Sequence, residues 1–363
     1  MIGPEKSSAS TAGAPLTAPF FSVVVTAYRR RTFLRGAVQS VLDQTLAHAE
    51  FEVIVLKDFA DPEIDSWLAT LGPSVRNVTE DLPLVGQMLV RGGELARGDV
   101  VCFLDDDDRF RPEKLAGLRA LFREDARLGL VHNAFDAIDV DGHRLPQWER
   151  FRPQPPTSET WGPDRGRVRF PWLHRYGGYV NVSSMAIRTS IVRRWSSWLA
   201  RVPASQDVVL FALALASDVN VRVDASRWSE YRVHSSTSHP TIGEVSAASD
   251  VRDFRKALAT SEVLRAAVAS APGHPDALRL SESWRVETGT VVFLLDPGAR
   301  LSPGDWVRLG LSAVRRRQAY IATLWGYCIY RWLAPGRASR SYAARRRGEL
   351  RRTAATAPPA GTP

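Results

Sequence analysis

The chain has 363 residues and carries 48 Lys and Arg against 39 Asp and Glu, a formal net charge of +9. Its 44% of hydrophobic residues and 24% of charged residues are typical of a globular protein, and they exclude a fibrous or wholly disordered chain. Two cysteines, Cys102 and Cys328, are too few for a disulfide framework or a thiolate metal cage. They predict a reducing, cytoplasmic setting.

The positive charge is concentrated at the end of the chain. Residues 314–363 contain eleven Arg, no Lys and one Glu, a local net charge of +10, so the rest of the chain carries −1. A nearly neutral body argues against a nucleic-acid-binding domain, whereas a basic tail suits an anionic membrane surface or a nucleic acid. No apolar signal segment is seen at the start, and the apolar stretch 318–330 is shorter than the roughly 20 residues of a membrane span. We therefore predict a cytoplasmic protein that lies peripherally at the inner face of the cell membrane.

The first third of the chain alternates between short β-branched runs and segments with helical spacing of apolar residues. Strands alternating with helices at this spacing predict a parallel sheet with helices on both faces. In such sheets ligands bind beyond the carboxyl ends of the strands. Gly98 is predicted to end the third helix as a C-cap. The predicted elements are, in chain order, strand 20–26, helix 31–45, strand 51–56, helix 61–71, helix 84–97 and strand 99–104.

The second half is predicted to be mixed and then helical. A long loop, 143–178, contains Trp148, Trp161 and Trp172, and it is either an acceptor-binding lid or a loop packed on the body. The other predicted elements are helix 112–124, strand 128–138, strand 180–187, helices 190–199 and 206–216, strands 219–223 and 228–233, and helices beyond residue 250.

Four consecutive aspartates, Asp105 to Asp108, follow the third apolar run. Like charges so close together repel and raise one another's pKa unless a cation offsets them. Carboxylate oxygens suit Mg²⁺ or Mn²⁺, which usually bind through one or two carboxylates and substrate phosphates. The alternative is a solvated acidic N-terminus of the following helix. The position of the cluster at the end of a buried strand favours the metal site.

Several motifs between residue 20 and about residue 240 occur in the order found in one enzyme family. With them the chain resembles the inverting glycosyltransferases of family 2, which have the GT-A fold. The resemblance implies an α/β fold with a mostly parallel, Rossmann-like central sheet and flanking helices, followed by a C-terminal helical region. The motifs are V-V-V-T-A-Y at 23–28, S-V-L-D-Q-T at 40–45, F-E-V-I-V at 51–55, A-R-G-D at 96–99, F-L-D-D-D-D at 103–108, Q-D at 206–207 and Y-R-V-H at 231–234.

The resemblance also implies an activity, which is the metal-dependent transfer of a sugar from a nucleotide sugar to an acceptor hydroxyl. The cofactor would be Mn²⁺ or Mg²⁺, the donor a UDP-, GDP- or dTDP-sugar, and the acceptor a glycan or a lipid-linked molecule. The implied site residues are Thr26, Ala27, Tyr28, Asp58, Asp105 and Asp106 for the nucleotide sugar, Asp107 and His234 for the metal, and Asp207 as the general base.

For four of these residues an ordinary structural role is the alternative. Tyr28 could pack in the core, Asp58 could lie in a turn, His234 in a surface loop, and Asp207 could cap a helix. The family commonly has a carboxylate where Lys57 stands, so the identity of the donor nucleotide stays open. For the whole protein the alternatives are a nucleotidyltransferase and a non-catalytic nucleotide-sugar-binding or scaffold protein.

The chain divides accordingly into five segments. The aromatic-rich end of the helical region, between Trp306 and Trp332, is either an interfacial helix pair or a pair packed on the body. The segments are a disordered leader (1–19), a nucleotide-sugar-binding half (20–108), an acceptor-binding half (109–245), a helical and membrane-associating C-terminal region (246–352) and a disordered tail (353–363).

Overall fold

The structure of the protein is a computed structural model that describes residues 18–28, 30–150, 152–234, 247–296, 298–316, 319–334 and 337–345. The predicted tail and nearly all of the predicted leader lie outside the described residues. The junction predicted near residue 245 lies outside them as well.

Nine strands form one sheet in the order β3-β2-β1-β4-β8-β6-β9-β5, with β7 pairing to β9. Six of these nine described strands run in one direction, and β5, β7 and β8 run in the other. The predicted α/β fold with a mostly parallel sheet is therefore confirmed. The strands are β1 (Phe21–Ala27), β2 (Phe51–Lys57), β3 (Val75–Thr79), β4 (Val100–Asp105), β5 (Arg109–Phe110), β6 (Leu128–Ile138), β7 (Glu159–Trp161), β8 (Met185–Arg188) and β9 (Asn220–Arg232).

Helices cover both faces of this sheet and continue beyond it into a C-terminal helical region. They are α1 (Leu34–Leu42), α2 (Pro62–Thr70), α3 (Val85–Leu95), α4 (Lys114–Glu124), α5 (Phe170–Tyr176), α6 (Thr189–Arg194), α7 (Ser196–Leu199), α8 (Gln206–Leu215), α9 (Ala247–Ala269), α10 (Pro275–Leu295), α11 (Pro303–Arg316) and α12 (Ala319–Leu333).

The central strand β1 shows why the sequence specifies two covered faces. Successive side chains of a strand point to opposite faces, so an apolar run without alternation must be buried on both. Val23 and Val25 pack in a core with α1, α2 and α4, whereas Val24 packs in a second core with α3, α6 and α8. The prediction of a strand buried on both faces is confirmed.

Several local predictions differ from the structure: the strand predicted over 180–187 is confined to β8, and the helix predicted over 190–199 is divided into α6 and α7. Strand β3 was not predicted, because its sequence V-R-N-V-T has only two apolar residues and its second half is partly exposed. Helix α3 has its C-cap at Ala96, and Gly98 instead lies against the backbone of β1. The two strands predicted over 219–233 are the single strand β9, whose pairing with β6 shifts register near residues 133–135.

The long loop 143–178 is packed on the body. It contains β7 and α5, and Trp161 is buried in the core beside α8. Trp148 is buried in a small cluster with Ala137, Leu145 and Val233. Of the two interpretations of this loop, these contacts favour the packed one.

The C-terminal helices pack against the α/β domain and against one another. Leu264 of α9 and Leu280 of α10 are fully buried in the core that contains α8, and Leu309 and Leu324 join α11 and α12 to α10 in a further cluster. Among the described residues, no helix combines the length and the apolar character that a membrane crossing requires.

Gly98 provides a test of the packing between the loop before β4 and β1. A Cβ at Gly98 would lie 2.6 Å from the carbonyl carbon of Phe21 and 2.7 Å from the amide nitrogen of Ser22, so Gly98→Ala should force the backbone to shift. We expect a loss of about 1–3 kcal/mol in the free energy of unfolding, measured by urea titration. Gly36→Ala is the control, because nothing lies within 4 Å of its Cβ and it lies inside α1. It should be neutral or stabilising by up to about 1 kcal/mol, and equal effects of the two changes would contradict the prediction.

His132 on β6 should make the protein sensitive to acid. Its Nε2 lies 2.7 Å from the carbonyl oxygen of Val180, and burial lowers the pKa of His132 from 6.5 to about 4. The folded state binds fewer protons than the unfolded chain between these values. Stability present above pH 6.5 is therefore lost as the pH falls towards 4, by on the order of 3 kcal/mol.

His132→Gln, which keeps a donor near Val180, should reduce the difference between the urea midpoints at about pH 7 and about pH 4.5. His48→Gln is the control on the protein surface and should keep the acid sensitivity of the wild type. An unchanged pH dependence in His132→Gln would show that other groups carry it.

Candidate active site

The predicted site residues follow strands that run in the same direction. Thr26 is the penultimate residue of β1 and pairs in register with Asp105, which ends β4. Asp58 follows β2, and its backbone N–H donates to the carbonyl oxygen of Ala27 at 3.3 Å. His234 follows β9 by two residues. The sheet thus brings four separated segments to one edge, as expected for a ligand site of an α/β fold.

Arg30 is the cation that contacts the aspartate cluster. Its Nε and one terminal nitrogen donate to the two carboxylate oxygens of Asp106 at 3.0 and 2.7 Å. The same terminal nitrogen donates to Asp107 Oδ2 at 2.6 Å. Another Arg30 nitrogen lies 3.3 Å from His234 Nε2. The sequence singles out Arg30 only by its place two residues after Tyr28, and its contact with residues 106 and 107 requires the folded sheet.

The end of β9 closes the cluster from the other side. His234 Nε2 lies 2.9 Å from Asp107 Oδ2, and His234 is buried, which excludes the surface-loop alternative. The backbone N–H of Arg232 donates to Asp108 Oδ1 at 2.8 Å, and its Nε donates to the carbonyl oxygen of Asp107 at 2.8 Å. The Y-R-V-H segment therefore holds the last two aspartates in place.

The first aspartate is held by β1 and by a short turn. Thr26 Oγ1 donates to Asp105 Oδ1 at 3.1 Å, and the backbone N–H of Asp106 donates to the carbonyl oxygen of Thr26 at 3.0 Å. The backbone N–H of Asp105 donates to Ser183 Oγ at 3.0 Å. The side chain of Tyr28 is 44% exposed, so it does not pack in the core.

Burial and mutual repulsion shift the titration of three of the four aspartates upwards. Burial, with the charges of Asp107 and Asp106, raises the pKa of Asp105 to about 8. Burial raises the pKa of Asp106 to about 6, against the opposing hydrogen bond from Arg30. Burial and the neighbouring carboxylates raise the pKa of Asp108 well above its usual range.

Asp107 differs from its neighbours. Burial alone would raise its pKa, but the hydrogen bond with His234 and the charge of Arg30 outweigh burial and lower the pKa of Asp107 below its usual range. Asp107 is therefore the carboxylate of the cluster that stays ionised most readily. An ionised carboxylate is what a cation needs as a ligand.

The cluster fits a divalent cation. One carboxylate oxygen from each of Asp105, Asp107 and Asp108 lies within 4.8 Å of the others, and Asp108 Oδ2 is buried without a hydrogen-bond partner among the described residues. Hard carboxylate oxygens at this spacing suit Mg²⁺ or Mn²⁺. Asp139, Asp141 and His143 form a second group with similar spacing, but two of its three members are exposed.

Asp207 lies in the first turn of α8, one residue after the helix begins, and Ser205 is the N-cap. The N-cap alternative for Asp207 is therefore wrong. Its Oδ2 accepts the backbone N–H of Asn181 at 2.9 Å, and its Oδ1 accepts the N–H of Val208 at 2.9 Å. Burial raises the pKa of Asp207 in spite of these two hydrogen bonds, which makes the carboxylate a stronger base.

The segment 181–184 connects Asp207 with the aspartate cluster. Asn181 donates to Asp207 from its backbone, and Ser183 accepts from the backbone of Asp105. Lys114 is fully buried behind this turn, and its Nζ donates to the carbonyl oxygen of Ser183 at 2.6 Å. The sequence did not identify Asn181, Ser183 or Lys114, because each acts through a contact between distant parts of the chain.

Lys57 stands where the family commonly has a carboxylate, and the structure accounts for its buried charge. Its Nζ lies 2.8 Å from Asp65 Oδ1 and donates to Thr79 Oγ1 at 2.6 Å and to the carbonyl oxygen of Phe59 at 2.8 Å. Lys57 thus joins β2 to α2 and β3.

Comparison with known sequences matches the segment that contains the motifs between residues 23 and 108, but not Q-D at 206–207 or Y-R-V-H at 231–234. Residues 22–184 match the profile of Glycosyl transferase family 2. An uncharacterized glycosyltransferase of Nostoc sp. is 28% identical over 130 residues, which are 35% of this chain and 39% of that protein. An uncharacterized glycosyltransferase of Rickettsia bellii is 30% identical over 128 residues, which are 34% of this chain and 18% of that protein. The matches thus span less than half of the length of these relatives.

Solved structures with a similar fold cover more of the chain. The structure of S. aureus TarS has a TM-score of 0.52 at 16% identity, over 88% of this chain and 53% of TarS. TarS 1-349 in complex with UDP-GlcNAc has a TM-score of 0.51 at 13% identity, over 86% of this chain and 91% of that chain. At this identity the likeness concerns the fold, which agrees with the predicted GT-A class. In sequence, residues 22–184 of the chain are similar to Glycosyl transferase family 2.

Proposed function

We propose that the protein is a metal-dependent, inverting glycosyltransferase that moves a sugar from a nucleotide sugar to an acceptor hydroxyl. The observation that carries the proposal is the connection of the aspartate cluster to Asp207 through the segment 181–184. Through this connection the same short backbone segment contacts both the candidate cation site and the candidate base. TarS, with a similar fold, has been solved with UDP-GlcNAc, which supports a nucleotide-sugar donor here.

In the proposed reaction the acceptor oxygen attacks the anomeric carbon of the donor sugar as the bond from that carbon to the diphosphate oxygen breaks. Asp207 accepts the proton of the acceptor hydroxyl, and burial, which raises the pKa of its carboxyl group, makes it a stronger base. The nucleotide diphosphate leaves on the opposite side of the sugar, which inverts the anomeric configuration. A Mn²⁺ or Mg²⁺ ion, when bound, supplies positive charge that neutralises the diphosphate leaving group.

The other residues of the site are proposed to bind the donor. Thr26, Ala27 and Tyr28 are proposed to line the pocket for the base, with the exposed Tyr28 ring offering a face for stacking. Asp58, Asp105 and Asp106 are proposed to bind the ribose and neighbouring groups. Asp107 and His234, whose Oδ2 and Nε2 lie 2.9 Å apart, are proposed to hold the cation.

The donor nucleotide is proposed to be UDP, GDP or dTDP, and the acceptor a glycan or a lipid-linked molecule. The eleven arginines after residue 314 support a peripheral position at the inner face of the cell membrane, where a lipid-linked acceptor would be found. A non-catalytic nucleotide-sugar-binding protein is the second candidate. The observation that favours it is the pair of salt bridges from Arg30 to Asp106 and Asp107. They supply positive charge to the cluster in the place of a metal ion.

The proposed metal ligand can be tested by binding alone. Asp107→Ala should abolish the Mn²⁺-dependent part of UDP binding, measured by titration calorimetry with and without EDTA, because Asp107 is the carboxylate that ionises most readily. Asp141→Ala is the matched control from the exposed second group and should bind UDP like the wild type. Mn²⁺-dependent UDP binding retained in Asp107→Ala, or wild-type activity in EDTA, would refute the assignment.

The proposed base can be tested by separating transfer from binding. Asp207→Asn keeps the size of the side chain and an acceptor for the N–H of Asn181, but it cannot take a proton. Transfer should fall by about 10²–10⁴-fold, while the Kd for the donor stays nearly unchanged. Asp218→Asn, at a side chain that is 74% exposed, is the control and should keep wild-type transfer. Wild-type transfer by Asp207→Asn would disprove the role, and binding without transfer by the wild type would favour the non-catalytic candidate.

A further inference from the structure

The exposed large apolar side chains of the described chain are concentrated in α11 and α12. Seven of them lie in these two helices, and three lie elsewhere. The most exposed are Trp332, at 78%, and Leu333, at 69%. Scattered single apolar residues on a surface need no explanation, but a group of them marks an interaction surface. The seven are Val307, Leu311, Trp325, Ile329, Tyr330, Trp332 and Leu333.

Four of the five exposed large apolar side chains of α12, all but Tyr330, lie along one side of the helix. Trp325, Ile329, Trp332 and Leu333 follow the spacing i, i+4, i+7 and i+8, which places them along one side of a helix. The side of the helix that contains Leu324, Cys328 and Arg331 is buried. Packing of α12 on the body therefore uses one face of the helix and leaves a second apolar face uncovered among the described residues.

The exposed residues of α11 join this face. A Cβ at Gly310 would lie 3.5 Å from Nε1 of Trp325, so the indole ring lies across α11 at this position. Val307 and Leu311 are exposed on the same helix, three residues before Gly310 and one residue after it. We call the seven exposed side chains of the two helices, with the Trp325 ring between them, the apolar face.

The surroundings of the apolar face are basic. Arg308 of α11 is 55% exposed and pairs with Glu282 at 3.8 Å and with Asp305 at 3.7 Å, whereas Arg337, Arg340 and Arg345 are exposed in the helical stretch 337–345 that follows α12. Asp305 is the only carboxylate between residues 298 and 345 of the sequence; it is buried and pairs with a nitrogen of Arg285 at 2.5 Å. In the sequence, the exposed apolar and aromatic side chains of α12 are thus followed closely by exposed arginines, and no exposed carboxylate lies between residues 298 and 345.

We propose that the apolar face docks on the surface of an anionic lipid bilayer. Trp and Tyr rings suit the headgroup level, the aliphatic side chains suit the acyl boundary, and the arginines suit anionic headgroups. A second copy of the chain is a poorer occupant, because two segments of net charge +10 would repel each other. The proposal narrows the peripheral position suggested above to one face of two helices. It does not depend on glycosyl transfer, since its test measures vesicle binding.

The test uses the full chain and vesicle sedimentation at low salt. The wild type should bind vesicles with about one third phosphatidylglycerol and should bind pure phosphatidylcholine at least about tenfold more weakly. Trp332→Ser with Leu333→Ser should reduce binding to the anionic vesicles by at least about tenfold, because apolar burial is lost. The matched control is Val140→Ser with Leu278→Ser, two exposed apolar residues outside the face, and it should bind like the wild type.

The charge contribution is tested separately. Arg337→Gln with Arg340→Gln should lower the partition coefficient by about 30-fold, and salt should weaken binding of the wild type. Arg123→Gln with Arg127→Gln, two exposed arginines on the body, is the control and should change it little. Far-UV circular dichroism checks that each variant is folded.

Several outcomes would overturn the proposal. They are equal binding to neutral and anionic vesicles, no binding to either, or an equal loss of binding in the control variants. A dimer in light scattering that dissociates in Trp332→Ser with Leu333→Ser would assign the apolar face to a second copy instead. Vesicle binding without sugar transfer would leave this proposal standing while the proposed function fails.

Discussion

The placement of four carboxylates at the end of a buried strand is the constraint on which the site depends. Burial and mutual repulsion raise the pKa of three of these groups. The carboxylates at the end of β4 therefore need nearby positive charge to stay ionised. The charge and the hydrogen-bond donors come from segments far away in sequence, Arg30 after β1 and Arg232 and His234 around the end of β9. The cluster therefore joins segments that follow β1 and β9, the first and last described strands in chain order, at the carboxyl end of β4.

This arrangement couples any cation in the cluster to Arg30. Asp107 Oδ2 already accepts from Arg30 at 2.6 Å and lies 2.9 Å from His234 Nε2. A divalent cation at the same oxygen would repel the guanidinium, so these contacts would have to lengthen. Arg30 lies two residues after Tyr28, which is exposed just beyond the end of β1. A movement of Arg30 would therefore also move the residues proposed to line the base pocket. Cation and donor binding would thus act on the same short segment.

The segment 181–184 couples the cluster to the other half of the domain. Ser183 accepts from Asp105, Asn181 donates to Asp207, and the buried Lys114 fixes the carbonyl oxygen of Ser183. A displacement of this segment would therefore move the candidate base and the candidate cation site together. The C-terminal helices add a separate feature, since α11 and α12 pack on the body with one face and leave the apolar face exposed.

The sequence by itself determined the elements whose signals are local. The apolar runs predicted β1, β2 and β4, and the resemblance carried by the motifs predicts that Thr26, Asp105 to Asp107, Asp207 and His234 belong to one site. It missed β3, because a strand of five residues with only two apolar side chains and no regular alternation has little signal of its own. It gave Gly98 the wrong role, because a helix end and a close approach to another strand both favour glycine.

Only the tertiary structure decided that Arg30 contacts Asp106 and Asp107, that Asn181 and Ser183 connect Asp207 to Asp105, and which face of α12 is exposed. These are contacts between residues tens of positions or more apart, and no local pattern encodes the sheet order that brings them together.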